Sequence, residues 1–449
     1  MIFLAEKKNE SESIKAQVKH YNLNLFSIFA AFFGLSTFYT VESQFLNSYI
    51  IKVLNESAYL VAFMVSFSAL GGLIFFILAG AISDGLPNNK WGRRRPFALG
   101  GILAGIFMAL IPFQTNYFMV FFIDVILLSI FGNMANAARK ATIPDIYPIE
   151  TRGSVNGWMS LAELIGGAII LGVSFLALAL FPVTETQVGN QIVYSDAEPL
   201  HLITLISAGA MTSISCFIFY LSLREPKIDY EPIHWTIAIK NTFSVKELKQ
   251  NKAFMKFMLI TMFVHISKYT FEPYLMTFVM SSQIDTLQVG LLLICYGGGM
   301  AISFRIFGLL LDKNPRKKIT LIAVLFMGVG FSLVGIFANL ANLGPLEITM
   351  SCIGILLGFF GYNGLIISQY TWAQDLFPIE GRGKYSGIYN IVFTVSQIPG
   401  AFLGAWLFES YGIQYVFLGA GIIVILFGQL YRLADETYKK TETNQKEES

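Results

Sequence analysis

One short stretch in the middle of a long apolar run carries three ionisable side chains. The stretch reads HISKYTFEPYL over residues 265–275, and it places His265, Lys268 and Glu272 at i, i+3 and i+7. In a helix this spacing brings all three side chains to one face. Groups of these types can form an ion pair, take up and release a proton, or hydrogen-bond a polar solute. Which of these they do depends on the element that positions them.

The composition identifies that element as a membrane-spanning helix. The chain has 449 residues, of which 55% are hydrophobic and 13% charged, and its mean hydropathy is +0.60. Soluble domains carry about 25% charged residues, and roughly 20 apolar residues cross a bilayer. The sequence therefore predicts an all-α, multi-pass protein of the cell membrane with twelve transmembrane helices. The predicted spans are 24–50, 58–82, 97–114, 116–137, 154–181, 201–223, 254–281, 287–311, 319–340, 346–371, 384–408 and 412–433.

The basic residues are distributed unevenly among the predicted loops. Of the 31 Lys and Arg residues, all but Lys52, Lys268 and Arg305 are predicted to fall in the termini or in alternate loops. The loop 182–200, on the opposite side, has no basic residue. Because basic residues in short loops mark the cytoplasmic side, both termini and the segment 224–253 are predicted to be cytoplasmic. The basic clusters are thus topology signals, and no nucleic-acid binding is expected.

The sequence repeats itself at a constant offset. IPDIYPIETRGSVNG (143–157) aligns with AQDLFPIEGRGKYSG (373–387), and YTVE (39–42) aligns with YTFE (269–272), since 272 − 42 = 230. The duplication predicts two six-helix halves of the same orientation, related by a pseudo-two-fold axis along the membrane normal. The predicted domains are a cytoplasmic tail at 1–22, an N-terminal six-helix bundle at 23–223, a cytoplasmic linker at 224–253, a C-terminal six-helix bundle at 254–433 and a cytoplasmic tail at 434–449.

Two loop motifs resemble those of a known family. GLLLDKNPRKK (308–318) follows the pattern of glycine, three residues, aspartate and a basic cluster that marks major facilitator superfamily carriers, and GAISDGLPNNKWGRRRPF (80–97) is a longer version. The longer loop, followed by NAARKATIPD (136–145), is similar to the glycoside–pentoside–hexuronide cation symporters and especially to their sucrose–proton branch. The resemblance covers nearly the full length. It implies the major facilitator fold and sugar transport by alternating access, coupled to a proton or another monovalent cation.

The resemblance also implies a cytoplasmic latch, in which loop carboxylates and arginines pair while the cytoplasmic side is shut. Such pairs separate when that side opens, so they bias a two-state element. The residues that would form the latch are Asp84, Arg93, Arg94, Asp145, Glu150 and Arg152 in the first half and Asp312, Arg316, Asp375, Glu380 and Arg382 in the second.

Acidic residues inside the spans are the candidates for coupling to an ion. A charged side chain at mid-bilayer costs at least about 2.5–3.5 kcal/mol, so it faces a cavity or a partner. The coupling candidates are Glu42, Asp124 and Glu163. Glu42 is preferred because no basic residue lies within a turn of it on its own helix, whereas Glu272 has Lys268 one turn away to keep it ionised.

The fourth predicted span departs from the sucrose–proton branch. Relatives in that branch carry an aspartate a few residues before an asparagine. This chain has Ser129, Asn133 and Asn136 on that face, with Asp124 more than one turn upstream. Coupling is therefore expected to rest on Glu42 or Glu163 instead.

Polar and aromatic side chains on the same spans suit a solute rich in hydroxyl groups. Amides hydrogen-bond hydroxyl groups, and aromatic faces stack on the C–H surfaces of sugars. The substrate-binding candidates are Tyr39, Asn133, Asn136, Lys268, Tyr269, Glu272, Tyr362, Asn363, Asn390 and Gln397. A structural role is the alternative for some residues: Lys268 and Glu272 would simply neutralise each other, and His265 would be a packing histidine.

Other functional classes fit less well. The four histidines are scattered and the three cysteines have no metal-ligand spacing, so no catalytic residue, metal site or cofactor is predicted. A sensor has no need of latch motifs in both halves. Within transporters, a proton-coupled antiporter for drugs or organic solutes is the alternative. The expected partners are a small-molecule substrate, preferably a sugar, and the lipid bilayer, and the chain is expected to be a monomer.

Overall fold

The computed structural model describes the chain over eight ranges. These are residues 22–86, 92–147, 149–188, 191–225, 251–281, 284–338, 344–377 and 382–437. Both predicted tails and most of the predicted linker 224–253 lie outside these ranges, apart from a few residues at their ends.

Helices make up nearly all of the described residues. The first six are α1 (Asn22–Lys52), α2 (Ala58–Gly85), α3 (Arg95–Phe113), α4 (Tyr117–Ile146), α5 (Ile149–Leu180) and α6 (Ala197–Ser222). The next six are α7 (Lys252–Phe271), α8 (Thr286–Lys313), α9 (Arg316–Phe337), α10 (Pro345–Asp375), α11 (Arg382–Tyr411) and α12 (Ile413–Gly428). Within the described ranges, 11 helices are long and apolar enough to cross a membrane, and α7 is the exception. The predicted all-α membrane fold is confirmed.

The repeated YTxE segment interrupts α-helical geometry in both helices that contain it. In α1 it leads into a π-helical turn at Val41–Phe45, which includes Glu42. In α7 it leads into a 3-10 turn at Glu272–Tyr274, because Pro273 has no N–H to donate to the preceding turn. A short helical turn then follows at Leu275–Val279. Breaks in α-helical geometry are frequent at functional sites, so both turns mark their acidic residues as candidates for function.

A second π-helical turn lies in α4. It spans Ile123–Leu128 and includes Asp124 in its first turn. The π-helical turns of the described residues therefore each contain an acidic residue that was predicted to take part in coupling.

The predicted loop 182–200 contains a β-hairpin. Strand β1 (Thr184–Val188) pairs antiparallel with β2 (Gln191–Ser195), with Thr184 opposite Ser195. In contrast, α11 and α12 are joined by Gly412 alone, whose φ of +108° suits a residue without a side chain. The hairpin makes the first half longer than the second at this point.

The chain divides into two compact units. The first comprises Met1–Tyr49, Leu70–Phe181 and Ala197–Asn241, and the second comprises Ile50–Ala69, Pro182–Asp196 and Thr242–Ser449. In the first unit α3 packs against α4 and α6, and in the second α9 packs against α10 and α12. Corresponding helices thus have corresponding partners within each unit.

An aromatic cluster anchors the end of α7 in the second unit. The Phe271 ring centroid lies 4.3 Å from that of Phe331, 5.8 Å from that of Phe359 and 6.0 Å from that of Phe417. Phe271 immediately precedes the 3-10 turn, so the cluster fixes the place where the helix changes geometry.

The packing of α8 against α10 predicts that an added oxidant can form a disulfide between the two helices. The thiols of Cys295 on α8 and Cys352 on α10 are close enough to interact electrostatically. One turn further along both helices, a Cβ on Gly299 would lie 2.5 Å from the carbonyl oxygen of Leu356, so the backbones approach closely. A disulfide needs Cα atoms about 4–7 Å apart. We expect copper phenanthroline to accept two electrons from the pair, with release of two protons, and to join the two sulfur atoms.

Maleimide mass tags added after oxidation and denaturation measure this reaction. The chain has 3 Cys, and Cys216 is buried on α6, so the number of tags is expected to fall from three to one. Three tags after oxidation would contradict the packing of α8 on α10.

Candidate functional site

Glu42 and Asp124 form an acidic pair inside the first unit. Asp124 is only 1% exposed, and its carboxylate interacts electrostatically with that of Glu42. Two like charges repel strongly where little water screens them. The pair is therefore suited to hold a positive charge, either a proton or another cation.

Glu163, the third coupling candidate, is ion-paired. Its Oε1 lies 3.0 Å from Nη1 of Arg139, and the Arg139 side chain is 5% exposed whereas that of Glu163 is 43% exposed. Nε of Arg139 donates to Oδ1 of Asn136 at 3.0 Å, and the guanidinium lies 4.3 Å from the Phe32 ring centroid. Asn136 thus positions an arginine, and Glu163 has a basic partner that Glu42 lacks on its own helix.

Arg139 is a charged residue of the candidate site that was not predicted from the sequence. The prediction placed it in a cytoplasmic loop with Lys140, but both residues lie within α4. Arg139 is buried, and Lys140 lies 5.5 Å from the Phe76 ring centroid. The segment NAARK (136–140) lies at the polar end of the predicted span 116–137. Hydropathy alone therefore placed Arg139 and Lys140 in the loop that follows.

Tyr39 on α1 and Asn133 on α4 are the other predicted site residues of the first unit. Tyr39 interacts electrostatically with Glu42, Arg139 and Glu163. Asn133 donates from Nδ2 to the carbonyl oxygen of Ser129 at 2.9 Å, within α4. Tyr39 therefore interacts electrostatically with Glu42 of the Glu42–Asp124 pair and with both members of the Arg139–Glu163 pair.

Lys268 and Glu272 meet inside the second unit. Nζ of Lys268 lies 3.5 Å from Oε2 of Glu272, and the two side chains are 17% and 21% exposed. Nζ of Lys268 also lies 4.8 Å from the ring centroid of Tyr269, 5.9 Å from that of Tyr362 and 6.0 Å from that of Phe393. An accessible donor and acceptor are thus held beside aromatic faces.

His265, on the same face of α7, has a structural role. Its Nε2 lies 2.8 Å from Oε1 of Gln369, whose Nε2 donates to Oη of Tyr431 at 2.6 Å. The Tyr431 hydroxyl is also 3.0 Å from that of Thr261. This buried chain of hydrogen bonds links α7 to α10 and to the end of α12, as expected of a packing histidine.

Two predicted amide ligands bond backbone carbonyls in the second unit. Nδ2 of Asn363 donates to the carbonyl oxygen of Met300 at 3.0 Å, and Nε2 of Gln397 donates to that of Val65 at 3.4 Å. The side chain of Asn390 lies outside the described residues. The structure therefore brings together Lys268, Tyr269, Glu272 and Tyr362, and gives Asn363 a packing role.

An ion-pair cluster joins the loop before α3 to the end of α4. Asp145 accepts from Nη2 of Arg93 at 2.8 Å and from Nε of Arg94 at 2.9 Å. Glu225, just beyond α6, accepts from the backbone N–H groups of Arg93, Arg94 and Arg95 at 2.8–3.1 Å. A carboxylate is favourable at the start of a helix, where N–H groups lack partners.

The second unit repeats this cluster. Nε of Arg316 lies 2.9 Å from Oδ2 of Asp375. Glu436, beyond α12, accepts from the backbone N–H groups of Arg316 and Lys317, each at 3.0 Å. Neither Glu225 nor Glu436 was predicted, although each follows the last helix of its unit.

The side chains of the remaining latch residues are not described, so a latch between the two halves stays a prediction. For these residues the structure describes no side chain: Asp84, Glu150, Arg152, Asp312, Glu380 and Arg382.

The two clusters predict different stabilities for matched variants. Asp145 bonds two guanidinium groups and its side chain is 17% exposed, whereas Asp375 pairs with one and is 31% exposed. Shielded hydrogen bonds to charged groups contribute about 1.5–3 kcal/mol, and exposed pairs about 0–1 kcal/mol. Asp145→Asn is therefore expected to lower the melting temperature of the purified protein more than Asp375→Asn. Equal shifts in the same detergent would contradict the difference between the clusters.

The fold and the site together define a multi-pass membrane protein with ionisable side chains in its membrane-spanning helices. This arrangement is typical of solute transporters. The sequence profile of the Major Facilitator Superfamily matches residues 24–282 and 257–449. The chain belongs to this superfamily. Membership of this superfamily makes it a membrane transporter and not an enzyme, as predicted.

Similar proteins include several transporters. The solved structure of the nucleoside transporter NupG matches with a TM-score of 0.68 and 14% identity, over 93% of this chain and 100% of that chain. The xylose transporter XylE from E. coli matches with a TM-score of 0.64 and 15% identity, over 94% of this chain and 97% of that chain. Likeness at these identities shows the fold alone, and it confirms the predicted major facilitator fold.

A relative of higher identity matches over a short segment. Multidrug resistance protein 3 of Bacillus subtilis is 35% identical over 112 residues, which are 25% of this chain and 20% of that protein. The matched segment thus spans a fifth of the relative's length.

Proposed function

We propose that the chain is a secondary active transporter that carries a sugar or glycoside by alternating access, in symport with a proton. The proposal assigns solute binding to the second unit and coupling to the first. The resemblance of its loop motifs to glycoside–pentoside–hexuronide symporters supports the choice of a sugar.

The Lys268–Glu272 pair is the observation that carries the solute assignment. An ammonium group donates and a carboxylate accepts, and the two lie 3.5 Å apart. Two adjacent hydroxyl groups on a sugar ring can each bond one of them, since a hydroxyl both donates and accepts. The rings of Tyr269 and Tyr362 flank Lys268 and offer faces to the C–H side of such a ring.

The Glu42–Asp124 pair supports the coupling assignment. Its members lie on π-helical turns of different helices, so a change in the charge of the pair acts directly on the packing of α1 against α4. A protonated pair loses its repulsion, and a pair that has released its proton regains it. Protonation thereby favours one arrangement of the helices over another.

A proton-coupled antiporter for drugs or other organic solutes is the second candidate. An acidic pair inside the membrane can also attract an organic cation, and one relative with 35% identity is named a multidrug resistance protein. In that case proton and solute would compete for the Glu42–Asp124 pair instead of binding together.

Uptake by proteoliposomes distinguishes the two functions. Radiolabelled mono- and disaccharides and a lipophilic organic cation are offered with and without a pH gradient that is acidic outside. We expect at least one sugar to accumulate inside only when the gradient is present. If the proteoliposomes keep the organic cation out when the gradient is present and take up no sugar under either condition, the antiporter is supported. That result would overturn the proposal.

A further inference from the structure

The hydroxyl group of Tyr39 is buried and has no hydrogen-bond partner among the described residues. Leaving a buried polar group unsatisfied costs about 1–3 kcal/mol, and such groups in folded proteins call for an explanation. The ring itself is well held, because it packs edge-on against Phe38 with centroids 5.1 Å apart. The hydroxyl is thus fixed in place without a structural bond of its own.

Groups on four helices interact electrostatically with this hydroxyl. Glu42 lies three residues further along α1, Arg139 and Glu163 come from α4 and α5, and the thiol of Cys216 comes from α6. The Arg139 guanidinium lies 6.0 Å from the Tyr39 ring centroid. Tyr39 therefore interacts electrostatically both with Glu42 and with the Arg139–Glu163 pair.

The two ends of this series differ in exposure. Asp124 is 1% exposed, whereas the side chain of Glu163 is 43% exposed. A proton released by the buried Asp124 needs a route out of the protein interior. Carboxyl and phenol groups that approach within hydrogen-bonding distance can provide one.

We propose that the Tyr39 hydroxyl is the proton link between the Glu42–Asp124 pair and the more exposed carboxylate of Glu163. In the transfer step the protonated Glu42 gives its proton to the Tyr39 oxygen while the Tyr39 O–H gives its proton to Glu163, which passes it to water. One O–H bond breaks and one forms at Tyr39, so the phenol is regenerated, and no electron is transferred. The inference rests on the proposed function, because it assumes that Glu42 and Asp124 carry the coupling proton.

Tyr39→Phe tests the link, because it removes the hydroxyl and keeps the ring. The variant is expected to fold, since no hydrogen bond is lost. The initial rate of gradient-driven uptake should fall at least about tenfold relative to solute exchange in the same proteoliposomes, the lower end of what proton-transfer groups contribute. The final accumulation should approach the wild-type level, because a slower link does not change the number of protons per solute.

A solvent isotope effect separates proton transfer from a structural role. If proton release limits the variant, replacing H₂O by D₂O should slow its uptake more than that of the wild type. Tyr49→Phe is the matched control on α1: its hydroxyl donates to the carbonyl oxygen of Gln114 at 2.6 Å, so its loss should lower stability without changing the ratio of uptake to exchange.

Each other outcome overturns a specific claim. Wild-type uptake by Tyr39→Phe would overturn the link and leave the proposed function intact. An equal loss of uptake and exchange would show that Tyr39 binds solute, as the sequence analysis predicted, and would also overturn the link. Failure of the wild-type protein to accumulate any sugar under a pH gradient would overturn the proposed function itself.

Discussion

Glu42→Gln is expected to abolish accumulation of solute while solute exchange continues. Glutamine imitates the protonated side chain and cannot release a proton, so the variant should equilibrate solute without following the pH gradient. For one proton per solute, a gradient of one pH unit supports about tenfold accumulation in the wild type. The ratio of inside to outside solute should fall to one in the variant. Accumulation at the wild-type level by Glu42→Gln would remove Glu42 as the coupling group.

Asp124→Asn provides the matched test of the acidic pair. If Glu42 and Asp124 act as one unit, either single variant should lose accumulation, and the double variant should be no worse than the more severe single one. Groups that act together show such non-additive effects, whereas independent sites add. An Asp124→Asn variant with normal accumulation would mean that Asp124 is only a neighbour of the coupling residue.

Glu272→Gln is expected to impair both accumulation and exchange, because the carboxylate belongs to the solute site. A hydrogen bond to a charged group contributes about 1.5–3 kcal/mol, so solute affinity should fall about ten- to a hundredfold. Lys268→Gln should have a similar effect. Equilibrium binding of the sugar identified by the uptake panel measures both losses directly.

The double variant Lys268→Gln, Glu272→Gln separates solute binding from mutual neutralisation. Each single variant leaves one charge without its partner inside the membrane, which is destabilising in itself. The double variant removes both charges and should regain stability close to the wild type. We expect its solute binding to remain impaired. Recovery of binding together with stability would mean that the pair serves only to neutralise itself.

Much of the fold could be predicted from the sequence, because hydropathy and duplication are properties of the chain itself. The offset of 230 residues aligned the two YTxE segments, and both lead into turns that are not α-helical. The same offset could not align Glu225 with Glu436, which are 211 residues apart (436 − 225). The hairpin Thr184–Ser195 lengthens the connection between α5 and α6 and shortens the offset beyond it.

The candidate site was less predictable, because its pairs depend on how helices face one another. Lys268 and Glu272 lie one turn apart on one helix, so spacing alone predicted their contact. Glu42 and Asp124 are on different helices, and only the packing of α1 with α4 brings them together. Arg139 was not predicted for a different reason. It lies near the end of a hydrophobic run, where hydropathy does not distinguish a buried arginine from a loop residue.

Proton movement driven by the solute tests the central proposal of symport most directly. Proteoliposomes containing a pH-sensitive dye and no initial gradient are given the sugar that the uptake panel identifies. Symport predicts that the lumen acidifies as the sugar enters, that Glu42→Gln shows no acidification, and that protein-free vesicles show none. Alkalinisation of the lumen on addition of solute would show antiport, and sugar entry without any proton movement in the wild type would contradict proton coupling.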